Sequence, residues 1–216
     1  MNINTNFESL ISTGQIDIIK SEYDRVLEEA VIGRATNEGK DIDRAKQVVV
    51  RIISWLESTD FYTAPASTQY HESFLGGLCY HTLKVAANAL ELCKLGKFNT
   101  VDECDAVLIA LMHDWCKINF YEPYRRNVKN ESTGAWESVT AFRYRGAQVP
   151  LGHGVTSMFL AQKFFQLTID ECAALRWHMG AWRVCESEHS ELQSANENYP
   201  LVHLIQFADQ LSITNY

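Results

Sequence analysis

What this sequence lacks narrows its possible roles before any motif is read. No apolar run approaches the roughly 20 residues of a membrane-spanning helix, and the N-terminal MNINTNFESL has neither the basic nor the apolar region of a signal peptide. No membrane association and a cytoplasmic location are therefore expected. No C-x-x-C pair occurs among the six cysteines (Cys79, Cys93, Cys104, Cys116, Cys172, Cys185), and several fall within apolar helical patterns. Reduced, packed thiols are expected, with disulfides or a structural zinc site as the alternative. Positive charge is short as well: 19 Lys and Arg face 27 Asp and Glu, a formal net charge of −8. That balance argues against gripping long nucleic acid by phosphate neutralisation. It leaves room for a small anionic substrate, because bound dications reverse the local sign of a pocket. Low-complexity tracts and long-period repeats are also missing. What remains is an ordinary globular composition, 46% hydrophobic over 216 residues, enough for one large domain or a domain with a helical extension.

Apolar residues at helical spacing mark Ile16 to about Gly33 and Ile42 to about Glu57, the second through Ala45, Val49, Ile52, Ile53 and Leu56. These helices hold no candidate ligands, so residues 1–59 are expected to be an N-terminal helical extension, either capping the core or forming a partner-binding module. Asp60 to His71 contains Pro65 and small polar residues and is expected to be an ordered loop. His71 reads as a loop or supporting histidine, with metal ligation as the alternative. Further helices are expected over Leu78 to about Leu95, stopped by Gly96, and over Val101 to about Cys116. Beyond the hairpin described below, they continue over Val155 to Phe165, from Thr168 to about His178, and over Pro200 to about Ser212. Thr100 with Glu103, and Thr168 with Glu171, have the spacing of capping boxes. His189 falls in a polar stretch expected to be a solvated loop, and His203 reads as a packing or surface residue.

The chain's organising stretch is Leu108–Tyr121, LIALMHDWCKINFY, where an apolar run stops on His113, Asp114 and, three residues later, Lys117. Such groups at the end of a greasy helix need partners if they are buried. Partners of the right kind occur in or beside other apolar segments: His81 near a helix start, His153 between two glycines, His178 near a helix end, and Asp209 among Leu204, Ile205, Ala208 and Leu211. Together these six residues are a nitrogen and oxygen donor set suited to divalent transition metals. His153 and His178 supply what a second ion needs, with Asp114 free to bridge. Lys117, on the face of His113 and Asp114 if the helix continues, could meet a phosphate oxygen held by the metal, or be a solvated helix-end lysine. Between Phe120 and Gly146, alternation over Tyr124–Lys129 and Trp136–Tyr144 around the turn residues Asn130 to Gly134 predicts an inserted β-hairpin. Its Arg125, Arg126 and Arg143, with Lys129 and Arg145, make either a substrate-steering flap or a solvated charged face.

His81, His113-Asp114 and Asp209, in that order on successive helices, resemble the H…HD…D signature of the HD superfamily of metal-dependent phosphohydrolases. His153 and His178 resemble the extra histidines of its two-metal members. GGLCYHTL and HDWCK are similar to the GGL..HTL and HD..K segments of bacterial and phage HD hydrolases, with Cys116 standing where many members have glycine. No second HH or GYP motif follows His178, so the cyclic-di-nucleotide esterase branch is not supported. The resemblance spans residue 60 to the C-terminus. It implies an all-α HD-domain bundle over residues 60–216 with a hairpin inserted at about 121–147. It further implies hydrolysis of a phosphate ester by a metal-activated water. One ion would be held by His81, His113, Asp114 and Asp209, and a second by His153 and His178 with Asp114 bridging. Asp114 and Lys117 would be catalytic, and Lys117, Arg125, Arg126 and Arg143 would bind substrate. The donor set accepts manganese, iron, cobalt, nickel or zinc. A nucleotide or similar small phosphorylated molecule is the expected substrate. A 3′-to-5′ exonuclease and a catalytically silent nucleotide-binding sensor are the alternatives.

Overall fold

The computed structural model describes residues 1–7, 16–146, 149–182 and 184–213. Residues 8–15 of the expected extension, residue 147 of the expected hairpin, and residues 148, 183 and 214–216 of the expected domain lie outside these. Among the described residues the helices are α1 (Ile16–Asn37), α2 (Ile42–Glu57), α3 (Gly77–Cys93) and α4 (Glu103–Met112). After the antiparallel strands β1 (Tyr121–Lys129) and β2 (Trp136–Tyr144) come α5 (His153–Ala161), α6 (Ile169–Trp177), α7 (His189–Asn198) and α8 (Pro200–Ile213). The protein is thus mostly helical with one small hairpin, as the sequence predicts. Among the described residues, no helix is long and apolar enough to cross a membrane.

The middle of the bundle is α4, in which every residue from Ala106 to Met112 is buried. A helix with no polar face must be covered on all sides. α1, α3 and α8 pack directly against it. Its start is capped by Asp102, whose carboxylate accepts from the backbone N–H groups of Cys104 and Asp105. That displaces the expected capping box at Thr100, because an Asp two residues closer to the helix does the same work. The box at Thr168 and Glu171 forms as expected. The sequence also overextends α4. It ends at Met112, four residues before Cys116, because Asp114 turns to φ −106°, ψ 17° and a single 3₁₀ turn, Trp115–Lys117, follows. Lys117 therefore reaches Asp114 across a tightened turn rather than along a continuing helix.

Other boundaries shift for local reasons. α1 runs on through Gly33 to Asn37, and α3 stops at Cys93, where the N–H of Lys94 turns back to the carbonyls of Glu91 and Leu92. α5 begins at His153 itself and stops at Ala161. α7, expected as loop, is a helix that begins at His189. It buries only Leu192 and Ala195, too few apolar positions to leave a helical signature.

The N-terminal helices share one hydrophobic core with the rest, running from Tyr23 and Leu56 through Leu83 and Leu108 to Leu175 and Leu204. Tyr23 Oη donates to the Leu111 carbonyl at 3.2 Å and accepts from Trp115 Nε1 at 3.3 Å. Arg34 of α1 is buried against Glu171 (2.6 Å) and Asp105 (3.3 Å), joining α1 to α4 and α6. Removing one member of such a pair leaves an uncompensated charge, a loss of roughly 3–5 kcal/mol.

β1 begins at Tyr121, three residues before the expected Tyr124, because Tyr121 and Phe142 are buried where the hairpin joins the body. The register pairs Tyr121 with Tyr144, Arg125 with Thr140, and Lys129 with Trp136. Since side chains alternate between faces, Arg125 shares the face of Tyr121, while Arg126 and Arg143 lie on the other.

Candidate metal centre

The candidate donors arrive from helix ends. His81 lies in the second turn of α3, His113 closes α4 with Asp114 next to it, His153 opens α5, His178 closes α6, and Asp209 lies near the end of α8. Two glycines make this convergence possible. A Cβ on Gly77 would lie 2.0 Å from the Glu72 carbonyl oxygen, so α3 meets the preceding loop only as bare backbone. A Cβ on Gly154 would lie 2.2 Å from the Arg176 carbonyl oxygen, so the start of α5 can press against the end of α6. The His153 and His178 rings consequently come within 5.1 Å, and His113 lies 5.1 Å from His178 and 5.3 Å from His81, between centroids.

Asp114 is the hub, and its two oxygens divide the cluster. Oδ2 faces His113 Nε2 (3.4 Å), His81 Nε2 (3.5 Å) and Lys117 Nζ (2.6 Å). On the same side, Asp209 Oδ1 lies 3.2 Å from His81 Nε2 and 3.9 Å from His113 Nε2. Oδ1 faces His153 Nε2 (2.9 Å) and His178 Nε2 (3.8 Å). His81, His113 and Asp114 form one group able to hold a metal ion, and Asp114, His153 and His178 form another.

The state of the imidazoles fits a metal better than a proton relay. His113 Nδ1 lies 2.6 Å from the Ala110 carbonyl, and His178 Nδ1 lies 2.8 Å from the Leu175 carbonyl. A carbonyl only accepts, so each Nδ1 carries the hydrogen and each Nε2 presents a lone pair to the cluster. Both Nε2 atoms are buried and lack a hydrogen-bond partner. An unsatisfied buried nitrogen is costly, roughly 1–3 kcal/mol each, and a metal at either position would satisfy it. The residues present therefore fit a divalent metal centre.

As protein alone, the cluster balances its charge with protons. Burial opposes a charge on His81, yet Asp209, Glu72 and Asp114 hold its pKa up at about 9. Partial burial likewise opposes a charge on His153, and Cys116 and Asp114 raise it to about 10. Burial, with His153 and His113 nearby, pushes His178 down to about 3. Against the burial penalty, Lys117 holds the Asp114 carboxyl well below its ordinary value, and His81 does the same for Asp209. Lys117, although buried, is pushed above the ordinary lysine value by Asp114.

Two of the three hairpin arginines make local contacts. Arg143 Nε pairs with Glu122 at 2.6 Å and its guanidinium lies over Tyr124, while Arg125 Nη1 reaches Thr140 Oγ1 at 3.5 Å. These contacts stay within the hairpin, and Arg126 is exposed. His203, read as a packing or surface residue, stacks on Phe207.

Glu72, Lys84 and Ser212 escape sequence reasoning, whereas His71 is expected as a loop or supporting histidine. Glu72 Oε2 lies 3.5 Å from His81 Nδ1, and its Oε1 is 2.5 Å from Lys84 Nζ. Ser212 Oγ also lies 3.3 Å from His81 Nδ1. The His71 ring lies 5.0 Å from that of His81, and burial with the charges on His81 and Lys117 lowers its pKa to about 4. His71, Glu72 and His81 also come close enough to form a metal-capable group of their own. The one local hint was an acidic residue beside His71 shortly before GGL, which carries no periodicity and points nowhere by itself.

The fold and the cluster define a helical protein with a candidate histidine and aspartate metal site reached from several helix ends. The HD domain family matches residues 78–214, and the chain belongs to that family, whose members are generally metal-dependent phosphohydrolases. No curated protein and no solved structure matches the chain.

Proposed function

We propose that this protein is a two-metal phosphohydrolase that cleaves a phosphate ester of a nucleotide or similarly small substrate. The observation that supports it best is the division of labour at Asp114, where each oxygen faces a buried imidazole whose Nε2 has no other partner. His81, His113, Asp114 and Asp209 would hold one ion, and His153 and His178 the other, with Asp114 between them. Divalent ions bound there supply Lewis acidity toward a phosphoryl group and toward water.

The chain's own residues do the rest. Lys117 keeps its charge under all physiological conditions because Asp114 holds the proton on it. It can neutralise charge that develops on a phosphoryl oxygen. His81 and His113 are almost completely buried, so water reaches the cluster from the His153 side, where the ring is 36% exposed. The hairpin leaves the body next to Lys117 through Tyr121, and Arg125 on the Tyr121 face is the arginine of the three best oriented to meet a bound anion.

Small size of the substrate is supported by charge. The densest cluster of basic side chains lies in one hairpin while the chain carries −8 overall, so attraction should be local to the pocket and weak over a long strand. The test is elemental analysis of the purified protein joined to a phosphate-release screen across nucleotides, dinucleoside polyphosphates and short oligonucleotides. About two metals and release from a small nucleotide are expected. Processive degradation of oligonucleotides with no small nucleotide cleaved would replace this reading with the exonuclease. Full metal loading with no hydrolysis of any substrate would replace it with the sensor.

A further inference from the structure

We propose that Glu72 is the positioning residue for His81: its carboxylate accepts a hydrogen bond from the Nδ1–H and so fixes the tautomer in which Nε2 offers a lone pair to a metal. The inference rests on the metal reading above and goes beyond it, since Glu72 is not among the six donors. Facing Nδ1 rather than Nε2, it supports the imidazole without being a ligand to the ion that Nε2 would hold.

His81 needs such support more than two of the other buried histidines do. His113 and His178 give their Nδ1 hydrogens to the carbonyls of Ala110 and Leu175 at 2.6 and 2.8 Å, so their own helices set the tautomer. The Nδ1 of His81 faces two side chains instead, Ser212 Oγ at 3.3 Å and Glu72 Oε2 at 3.5 Å. Ser212 Oγ donates to the Asp209 carbonyl at 2.6 Å, so toward Nδ1 it can only accept, and as a neutral oxygen. Glu72 Oε2 is the charged acceptor, and it is buried without a hydrogen-bond partner of its own. A carboxylate oxygen so placed is costly unless a donor reaches it. Once Nε2 bears a cation, the Nδ1–H becomes a stronger donor, and a carboxylate on it in turn strengthens Nε2 as a ligand.

Glu72 is itself held through both side chain and backbone. Lys84 Nζ, one turn beyond His81 on α3, pairs with its Oε1 at 2.5 Å and also donates to the Ser212 carbonyl at 2.5 Å, which leaves Oε2 turned to His81. The backbone at Glu72 is left-handed (φ 43°), a conformation that residues other than glycine rarely adopt. Its carbonyl accepts from the Ala66 N–H at 3.1 Å and is the same one that Gly77 approaches as bare backbone. The loop is thus fixed on the helix that carries His81, and the carboxylate is aimed rather than free to turn to solvent.

The test uses the full chain with nitrogen-15-labelled histidine, loaded with zinc. In the wild type the His81 Nδ1–H proton resonance is expected far downfield, assigned by its loss in His81→Gln. In Glu72→Gln, which keeps the shape and an accepting oxygen but not the charge, that resonance should move upfield while those of His113 and His178 stay in place. In chelator competition, Glu72→Ala should weaken one bound ion by roughly 10–100-fold and spare the other, and Ser212→Ala should lose less. Glu72→Gln should recover much of the alanine loss, and it serves as the second variant if the alanine form does not fold. An unmoved His81 resonance in Glu72→Gln, unchanged affinity in Glu72→Ala, or equal weakening of both ions would overturn the role of Glu72 and leave the metal centre standing. A wild type that binds no zinc would overturn both.

Discussion

The buried cluster and the inserted hairpin are the two parts of this protein richest in charge, and they obey opposite rules. In the cluster, His81, His113, Asp114 and His178 are almost wholly inaccessible, so each ionisable group is present at an energetic cost that some partner must offset. In the hairpin, Arg125, Arg126 and Arg143 are exposed, and their contacts stay within the hairpin itself. Hydrated charge costs almost nothing to keep, so its presence says little about what it does. Substitutions in the two regions should therefore differ in the size of their effects.

The largest expected effect is at the hub. Asp114→Ala should bring metal-dependent hydrolysis to background and lower bound metal, because both sides of the cluster lose their shared carboxylate at once. Elemental analysis and turnover on the same folded preparation check this. Unchanged metal content would mean that the burial of Asp114 is offset by Lys117 and the histidines alone, and the contrast with the hairpin would lose its functional meaning.

Next comes the division between the two oxygens. Replacing His153 or His178 with alanine should move stoichiometry from about two toward one while the ion on the Oδ2 side remains. A wild type that takes only one metal at saturation would reassign both histidines to substrate contact or packing.

A smaller, graded effect follows from the protons that balance the cluster. His81 and His153 have pKa values raised from 6.5 to about 9 and about 10, and a metal at Nε2 must displace those protons. Apparent metal affinity should therefore rise with pH from neutrality until about 9–10, with the release of up to about two protons. The sign for folding is the reverse. The raised values stabilise the metal-free fold fully below 6.5, and that contribution is lost as pH rises through about 9 and 10. Metal titrations and thermal melts of metal-free protein across this range should run in opposite directions. A flat affinity profile would show that neither imidazole is a ligand.

The smallest effect belongs to the hairpin. Neutralising Arg125, Arg126 and Arg143 together should raise KM for a small phosphorylated substrate with less change in kcat, since such groups hold ground and transition states about equally. Singly, Arg125→Ala should account for most of it, because Arg143 is already paired with Glu122 and shares its face with Arg126. An Arg143→Ala effect equal to that of Arg125→Ala would show that both faces of the hairpin meet substrate.

How much was legible follows the same division. The helical class, the hairpin and the six candidate donors could be read from apolar periodicity and from polar residues that interrupt it, most clearly where Ala106–Met112 runs into His113 and Asp114. Polar helices were not legible: α7 buries two residues and leaves no pattern. The end of α4 was not legible either, because the 3₁₀ turn depends on what Asp114 and Cys116 meet across the cluster, and those partners are distant in sequence.

By itself, then, the chain determined which residues needed partners, because burial of an imidazole or carboxylate is costly wherever it occurs. Only the tertiary structure decided which partners they found. Asp114 Oδ1 faces His153 and His178 while Oδ2 faces His81 and His113. Glu72 and His71, from a loop with no periodic signal, close around His81. Arg125 is separated from Arg126 by a strand's two-residue alternation. Local sequence sets backbone preference and the cost of burial, but distances between side chains from different helices depend on how the core packs, and no local pattern encodes them.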